Sequence, residues 1–221
     1  MVEKVGIEGE GKRYALLQAV KDSEYVKKMY GGYLNVFVAA FGDEGEKWDL
    51  IMVVDGVFPT MNELRDYDGF IITGSIYDAY GNESWILYLC FLLQTLDAMG
   101  KKLFGICFGV IRALRGKVGK AATGWDIGVR KVEMMGSSEW KSVEEMGEIP
   151  RSVEIFAIGD HILGIQGHPE YSKDILYNLV DRLANNDTIQ REFAEDAKVC
   201  IQAAEPDTKW WKKICNNFLK G

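Results

Sequence analysis

Gly105-Ile106-Cys107-Phe108-Gly109 sets a thiol between two glycines, after the apolar run 102–106 and before a short helical pattern. This is the form of a nucleophile elbow, G-x-[S/C]-x-G, in which the reactive side chain projects from a strained strand-to-helix turn and glycines relieve the crowding around it. The helix start beyond it would favour a thiolate at Cys107, and the Phe108 N–H would point at an oxyanion. A second cluster, Gln166-Gly167-His168-Pro169-Glu170, also closes a strand pattern. His168 suits a base that takes the thiol proton, and Glu170, held across the proline bend, suits the group that orients the imidazole and stabilises its charged form. A third, Thr73-Gly74-Ser75, follows the apolar run 68–73, and small residues there let backbone N–H groups approach a carbonyl oxygen. Each fragment alone also reads as plain structure: a core cysteine, a hydrogen-bonded histidine, a turn glycine.

Composition limits the alternatives. The 221 residues contain two histidines, so imidazole chemistry falls to His168 or His161, and Gly159-Asp160-His161 reads as an exposed hairpin turn. Cys90, Cys107, Cys200 and Cys215 are too dispersed for a C-x-x-C metal or redox pair. No metal site is expected from them; Cys90, Cys200 and Cys215 suit packing, and the thiols suit a reducing compartment. A formal net charge of −7 argues against sequence-independent nucleic-acid binding, which needs a basic face. No apolar run reaches the roughly 18 residues of a membrane span, and the start lacks a basic-then-apolar signal, so no membrane association is expected.

The elements that must position these groups alternate along the chain. Strand patterns cover residues 13–19, 34–41, 49–54, 68–73 and 102–106, with helical patterns at 22–30, 61–67 and 83–99. Beyond the elbow, strands are expected at 128–135, 153–158 and 163–166, a polar stretch at 137–150, and helices at 173–183, 188–203 and 207–219. Such alternation predicts an α/β fold with a mostly parallel sheet covered by helices on both faces. Residues 1–12 read as a flexible N-terminal segment and 13–221 as a single domain.

FGICFG, TGS and GIQGHPEY, in this order in the chain, resemble the class I glutamine amidotransferase-like superfamily, a flavodoxin-like fold with a Cys-His-Glu triad. RYALLQA, DSEYVKKMYGGYLNVFVAAFGDEGEKWD, YDGFIITGS and the closing ICNNFLKG resemble the plant gamma-glutamyl peptidases, and the similarity runs from Arg13 to Gly221. The resemblance implies a cytosolic enzyme that removes the gamma-glutamyl group from glutathione conjugates, including intermediates of glucosinolate biosynthesis, with no cofactor. It makes Cys107 the nucleophile, His168 the base and Glu170 its partner, with Gly74 or Ser75 and Phe108 forming the oxyanion hole. The partner implied is a small gamma-glutamyl substrate; oligomeric state stays open. Arg112, Arg115 and Arg130 are candidates for holding substrate carboxylates. The 43–49 segment would lie on the cleft side, and Trp210-Trp211 would pack onto the sheet with Lys212 and Lys213 outside.

Two departures accompany the resemblance. Gly109 is followed by Val110-Ile111-Arg112-Ala113-Leu114-Arg115-Gly116 in place of a His-Gln pair and a longer helix. A strand-turn-strand segment expected between Pro150 and Val153 is replaced by a direct join. A glutaminase that passes ammonia to a synthetase, and a non-catalytic relative, are the alternative readings.

Overall fold

The computed structural model describes residues 11–107, 110–114, 125, 127–129 and 155–221. Six strands form one sheet: β1 (Arg13–Leu17), β2 (Lys47–Ile51), β3 (Gly69–Ile72), β4 (Lys102–Ile106), β5 (Ile155–Ile158) and β6 (Ile162–Ile165). Their order is β2-β1-β3-β4-β6-β5, parallel throughout except for the β5–β6 hairpin. This is the expected α/β architecture, with the strand order of a doubly wound sheet of flavodoxin type. Successive side chains of each strand feed opposite faces, as the two-residue period requires. Ala15, Leu17, Phe70, Ile72 and Leu103 enter one core, with α3 (Ser84–Ala98) and the single turn α4 (Val110–Ala113) above them. Tyr14, Leu16, Ile71, Phe104 and Ile106 enter the other, beneath α2 (Tyr33–Phe41) and α7 (Thr208–Lys220). Two further helices, α5 (Lys173–Asn185) and α6 (Arg191–Ala203), pack on each other through Val180, Ala194, Ala197 and Ile201.

One sequence expectation is overturned. Residues 34–41 form helix α2, not a strand, and Tyr33, Leu34, Val36, Phe37 and Phe41 are its buried residues. An unbroken apolar run carries no two-residue alternation, and a short one buried on most sides does not distinguish strand from helix. The helix α1 (Glu24–Tyr30) ends at Gly31-Gly32, and α2 starts at once, N-capped at Gly32. The next strand is accordingly β2 at Lys47–Ile51, two residues ahead of the expected 49–54, with Val53–Asp55 a 3-10 turn. The turn expected at 61–67 is the 3-10 segment Glu63–Asp66. Of the strand expected at 128–135, Gly128 and Val129 lie outside any strand; its remaining residues, the stretch 137–150 and residues 1–10 lie outside the described ones.

Phe104 anchors the central strand β4 from below, fully buried and edge-on to Phe41 at 5.4 Å between ring centroids. Phe104→Ala is expected to lower unfolding free energy by about 3–5 kcal/mol, read from urea denaturation; a loss near zero would mean that α2 does not brace β4 through this pair.

Candidate active site

Three strand ends meet at the carboxyl edge of the sheet. The parallel β4–β6 register pairs Ile106 with Ile165, and the Cys107 N–H continues it by donating to the Ile165 carbonyl at 2.7 Å. Cys107 leaves the strand at φ 60, a left-handed conformation that strains a residue with a Cβ, and its side chain is exposed. This is the sharp turn expected of an elbow. Gly105 is required beneath it: a Cβ there would lie 2.1 Å from Val110 Cγ2, where α4 folds back over β4. With four residues, α4 sums few peptide dipoles, so the charge beside the thiol comes chiefly from a side chain.

That side chain is His168. Its Nδ1 lies 2.7 Å from Glu170 Oε1, and Glu170 is buried with 1% side-chain exposure. Burial acts against the charged imidazole, but the Glu170 charge and hydrogen bonds to Cys107 and Glu170 outweigh it and push His168 up to about 10. Its ring stacks on Tyr171 at 4.3 Å, and Tyr171 stacks in turn on Tyr33. Glu170 Oε2 has no hydrogen-bond partner among the described residues. Burial together with the Glu170 charge pushes the nearby Cys215 thiol up to about 12.

Gly74 fills the angle between thiol and imidazole. A Cβ on Gly74 would sit 2.4 Å from His168 Cε1, 3.0 Å from Nε2 and 3.4 Å from Cys107 Cβ, so a side chain here would displace the ring. The strand end is pinned in place by Thr73, whose Oγ1 accepts from the Ala19 N–H at 3.0 Å and donates to the Gly74 carbonyl at 2.9 Å. No described residue accepts from the Gly74 N–H. Ser75 Oγ donates to the Ala19 carbonyl and accepts from the Tyr77 N–H, and no described residue accepts from the Ser75 N–H either, so both N–H groups of the expected pair stand open. The structure therefore brings Cys107, His168, Glu170 and Gly74 together; Phe108 lies outside the described residues.

Other expectations resolve differently. Arg112 donates to the carbonyls of Ala79 and Gly81 and to Asn82 Oδ1, so it braces the 79–82 loop and is not free for a carboxylate; Arg115 and Arg130 lie outside the described residues. His161 occupies the β5–β6 turn as expected, yet it is partly buried against Asp97 at 2.8 Å, at the end of β6 opposite His168. The 43–49 segment feeds the start of β2, so it lies at the amino edge of the parallel strands and away from Cys107; Asp43 and Glu46 pair there with Lys220. Trp211 packs against the sheet core and Lys213 is exposed, as expected, whereas Trp210 is itself exposed and Lys212 is half-buried, donating to the Gly42 carbonyl. Sequence reasoning missed Gln166 and Tyr171 as neighbours of the thiol and imidazole, although Gln166 opens the quoted histidine cluster and Tyr171 follows it directly. Among the described residues, no group of three or more His, Cys, Asp or Glu side chains converges to hold a metal ion, and no helix is long and apolar enough to cross a membrane.

No protein-family model matches the chain. Gamma-glutamyl peptidase 5 of Arabidopsis thaliana is 46% identical over 96% of this chain and 97% of its own length. Gamma-glutamyl peptidase 3 of the same organism is 46% identical over 95% and 97%. The first alignment runs to 243 positions, more than the 221 residues available, so that relative has residues for which this chain has none. A glutamine amidotransferase structure from Methylobacillus flagellatus superposes with a TM-score of 0.59 at 16% identity, covering 96% of this chain and 95% of that one; it shares the fold.

Because His168 binds its proton more tightly in the folded state than in the unfolded chain, its contribution to stability is complete below about pH 6.5. That contribution is lost as pH rises through about 10. Urea midpoints are expected to carry this decline over that window, and Glu170→Gln, which removes the anion, should flatten it. Equal slopes in the two proteins would mean that Glu170 does not hold the His168 proton.

Proposed function

The chain belongs to the gamma-glutamyl peptidase family, and from that membership we propose that it cleaves glutathione conjugates in the cytosol through a Cys107-His168-Glu170 triad. It is an enzyme of gamma-glutamyl hydrolysis, acting on a small gamma-glutamyl substrate; the triad and the conjugate are the proposal. The observation that carries the triad is the 2.7 Å contact of His168 Nδ1 with a buried Glu170 carboxylate, on an imidazole that borders Gly74 together with Cys107.

The chemistry follows from those contacts. Glu170 fixes the ring through Nδ1, which leaves Nε2 to take the Cys107 proton. The thiolate attacks the carbonyl carbon of the gamma-glutamyl amide, and charge develops on its oxygen, for which the Gly74 N–H is the first donor in this reading. The Phe108 N–H is the second donor in this reading. As the C–N bond breaks, His168 returns the proton to the departing amine, and a gamma-glutamyl thioester remains on Cys107. Water then loses a proton to the same imidazole, attacks the thioester, and releases glutamate with the thiol restored.

A gamma-glutamyl amide is a glutamine side-chain amide with a larger leaving group, so what distinguishes the substrate lies on the leaving side. The loop running on from Gly74 supports a bulky, partly apolar one. Ile76, Tyr77 and Tyr80 are exposed there by 74%, 42% and 42%, and Arg112 from the turn behind the nucleophile holds the loop from below. An S-substituent on glutathione has a surface to lie against, whereas free glutamine has no group to use it.

Purified protein is expected to release glutamate from an S-substituted glutathione faster than from glutamine, and Cys107→Ala should reduce that release by about 10⁴-fold or more. Gly74→Ala, which drives a methyl into His168, should lower kcat/KM by about a hundredfold while leaving the fold intact. Equal release from wild type and Cys107→Ala would sink the triad. Preference for glutamine over every conjugate would sink the substrate assignment alone.

A further inference from the structure

A polar side chain outside the expected triad reaches the thiol. Gln166 Nε2 approaches Cys107 Sγ at 3.6 Å, within hydrogen-bonding range for sulfur. The sheet enforces the contact: β4 and β6 run parallel with Ile106 opposite Ile165, so residues 107 and 166 leave neighbouring strands at the same level. The Cys107 N–H to Ile165 carbonyl bond, one residue before Gln166, locks that level. Gln166 is exposed, and its side chain makes no other hydrogen bond among the described residues, so core packing does not account for its position.

We propose that Gln166 is a catalytic residue that holds the Cys107 sulfur as an anion in the resting enzyme and aims it toward the substrate carbonyl. The inference rests on the reading of Cys107 as nucleophile. An amide N–H donor is neutral at every working pH, so it favours thiolate over thiol without competing for the His168 proton. With the amide on one side and the imidazole as the base in this reading, the sulfur keeps a restricted arc in which to meet a carbonyl. When the S–C bond of the thioester forms, the sulfur loses its charge and the Gln166 bond weakens, which frees the amide as the acyl group arrives.

Among the described residues, the other groups around the sulfur do not offer the same service. The loop that follows β6 supplies His168 and Tyr171, with Glu170 acting through His168. The β3 end supplies Gly74 and Ser75, neither of them charged, and Arg112 on α4 faces the 79–82 carbonyls.

The test is alkylation of Cys107 by iodoacetamide, followed on its own peptide by mass spectrometry across pH, in wild type, Gln166→Met and Gln166→Glu. Gln166→Met keeps side-chain length without a donor, and Gln166→Glu sets an anion beside the sulfur. The midpoint of the alkylation profile is expected to rise by about half to one pH unit in Gln166→Met and further in Gln166→Glu. The acid limb of kcat/KM on a gamma-glutamyl amide should move with it. Unchanged thermal melting establishes that both variants are folded, as an exposed position allows. Coincident profiles, or a uniform loss of rate with an unmoved midpoint, would overturn the proposal. Alkylation needs no turnover, so this result is separate from whether conjugates are the substrate.

Discussion

Glu170 carries a carboxylate with 1% side-chain exposure and, among the described residues, one cationic neighbour, His168 at 2.7 Å. A buried anion is tolerable only where something nearby compensates it, and removing the partner costs far more than the pair gains. The rest of the site follows from that constraint. The imidazole stays protonated to high pH because of it, the Cys215 thiol is kept neutral beside it, and Tyr171 is sealed over the ring by its stack. A protonated imidazole thus lies next to an exposed cysteine.

Position is supplied by the sheet. Gly74, Cys107 and the 166–170 segment come from the carboxyl ends of β3, β4 and β6, three strands that are neighbours in space and far apart in sequence. Parallel pairing levels their ends, so chemistry drawn from separate segments arrives at one height. The helix that follows Cys107 is a single turn, and its Arg112 ties down the loop that leaves Gly74.

Much of this was readable from the residues, and the failures have physical causes. Glycines flanking Cys107, a proline between His168 and Glu170, and a glycine after a buried strand are local signals, because each residue type answers a local steric demand. Strand β4 and helices α3, α5 and α7 stood within two residues of their expected bounds at each end because their patterns end at turns and caps. Residues 34–41 failed because burial on most sides erases periodicity. Arg112 failed for a different reason: a cation in a sequence carries no label for its acceptor, and here the acceptors are loop carbonyls. Gln166 escaped notice because its partner is set by strand register, which a linear reading does not contain.

The left-handed turn at Cys107 has an evolutionary consequence. A backbone at φ 60 suits glycine and costs any other residue about 1 kcal/mol or more. Under selection for sturdiness alone, position 107 would drift to glycine, the one replacement that relaxes the turn and also erases the thiol. Loss of the sulfur would thus be rewarded wherever the reaction ceased to matter. A cysteine held at that angle is a standing thermodynamic concession that glycine in the same turn would not carry.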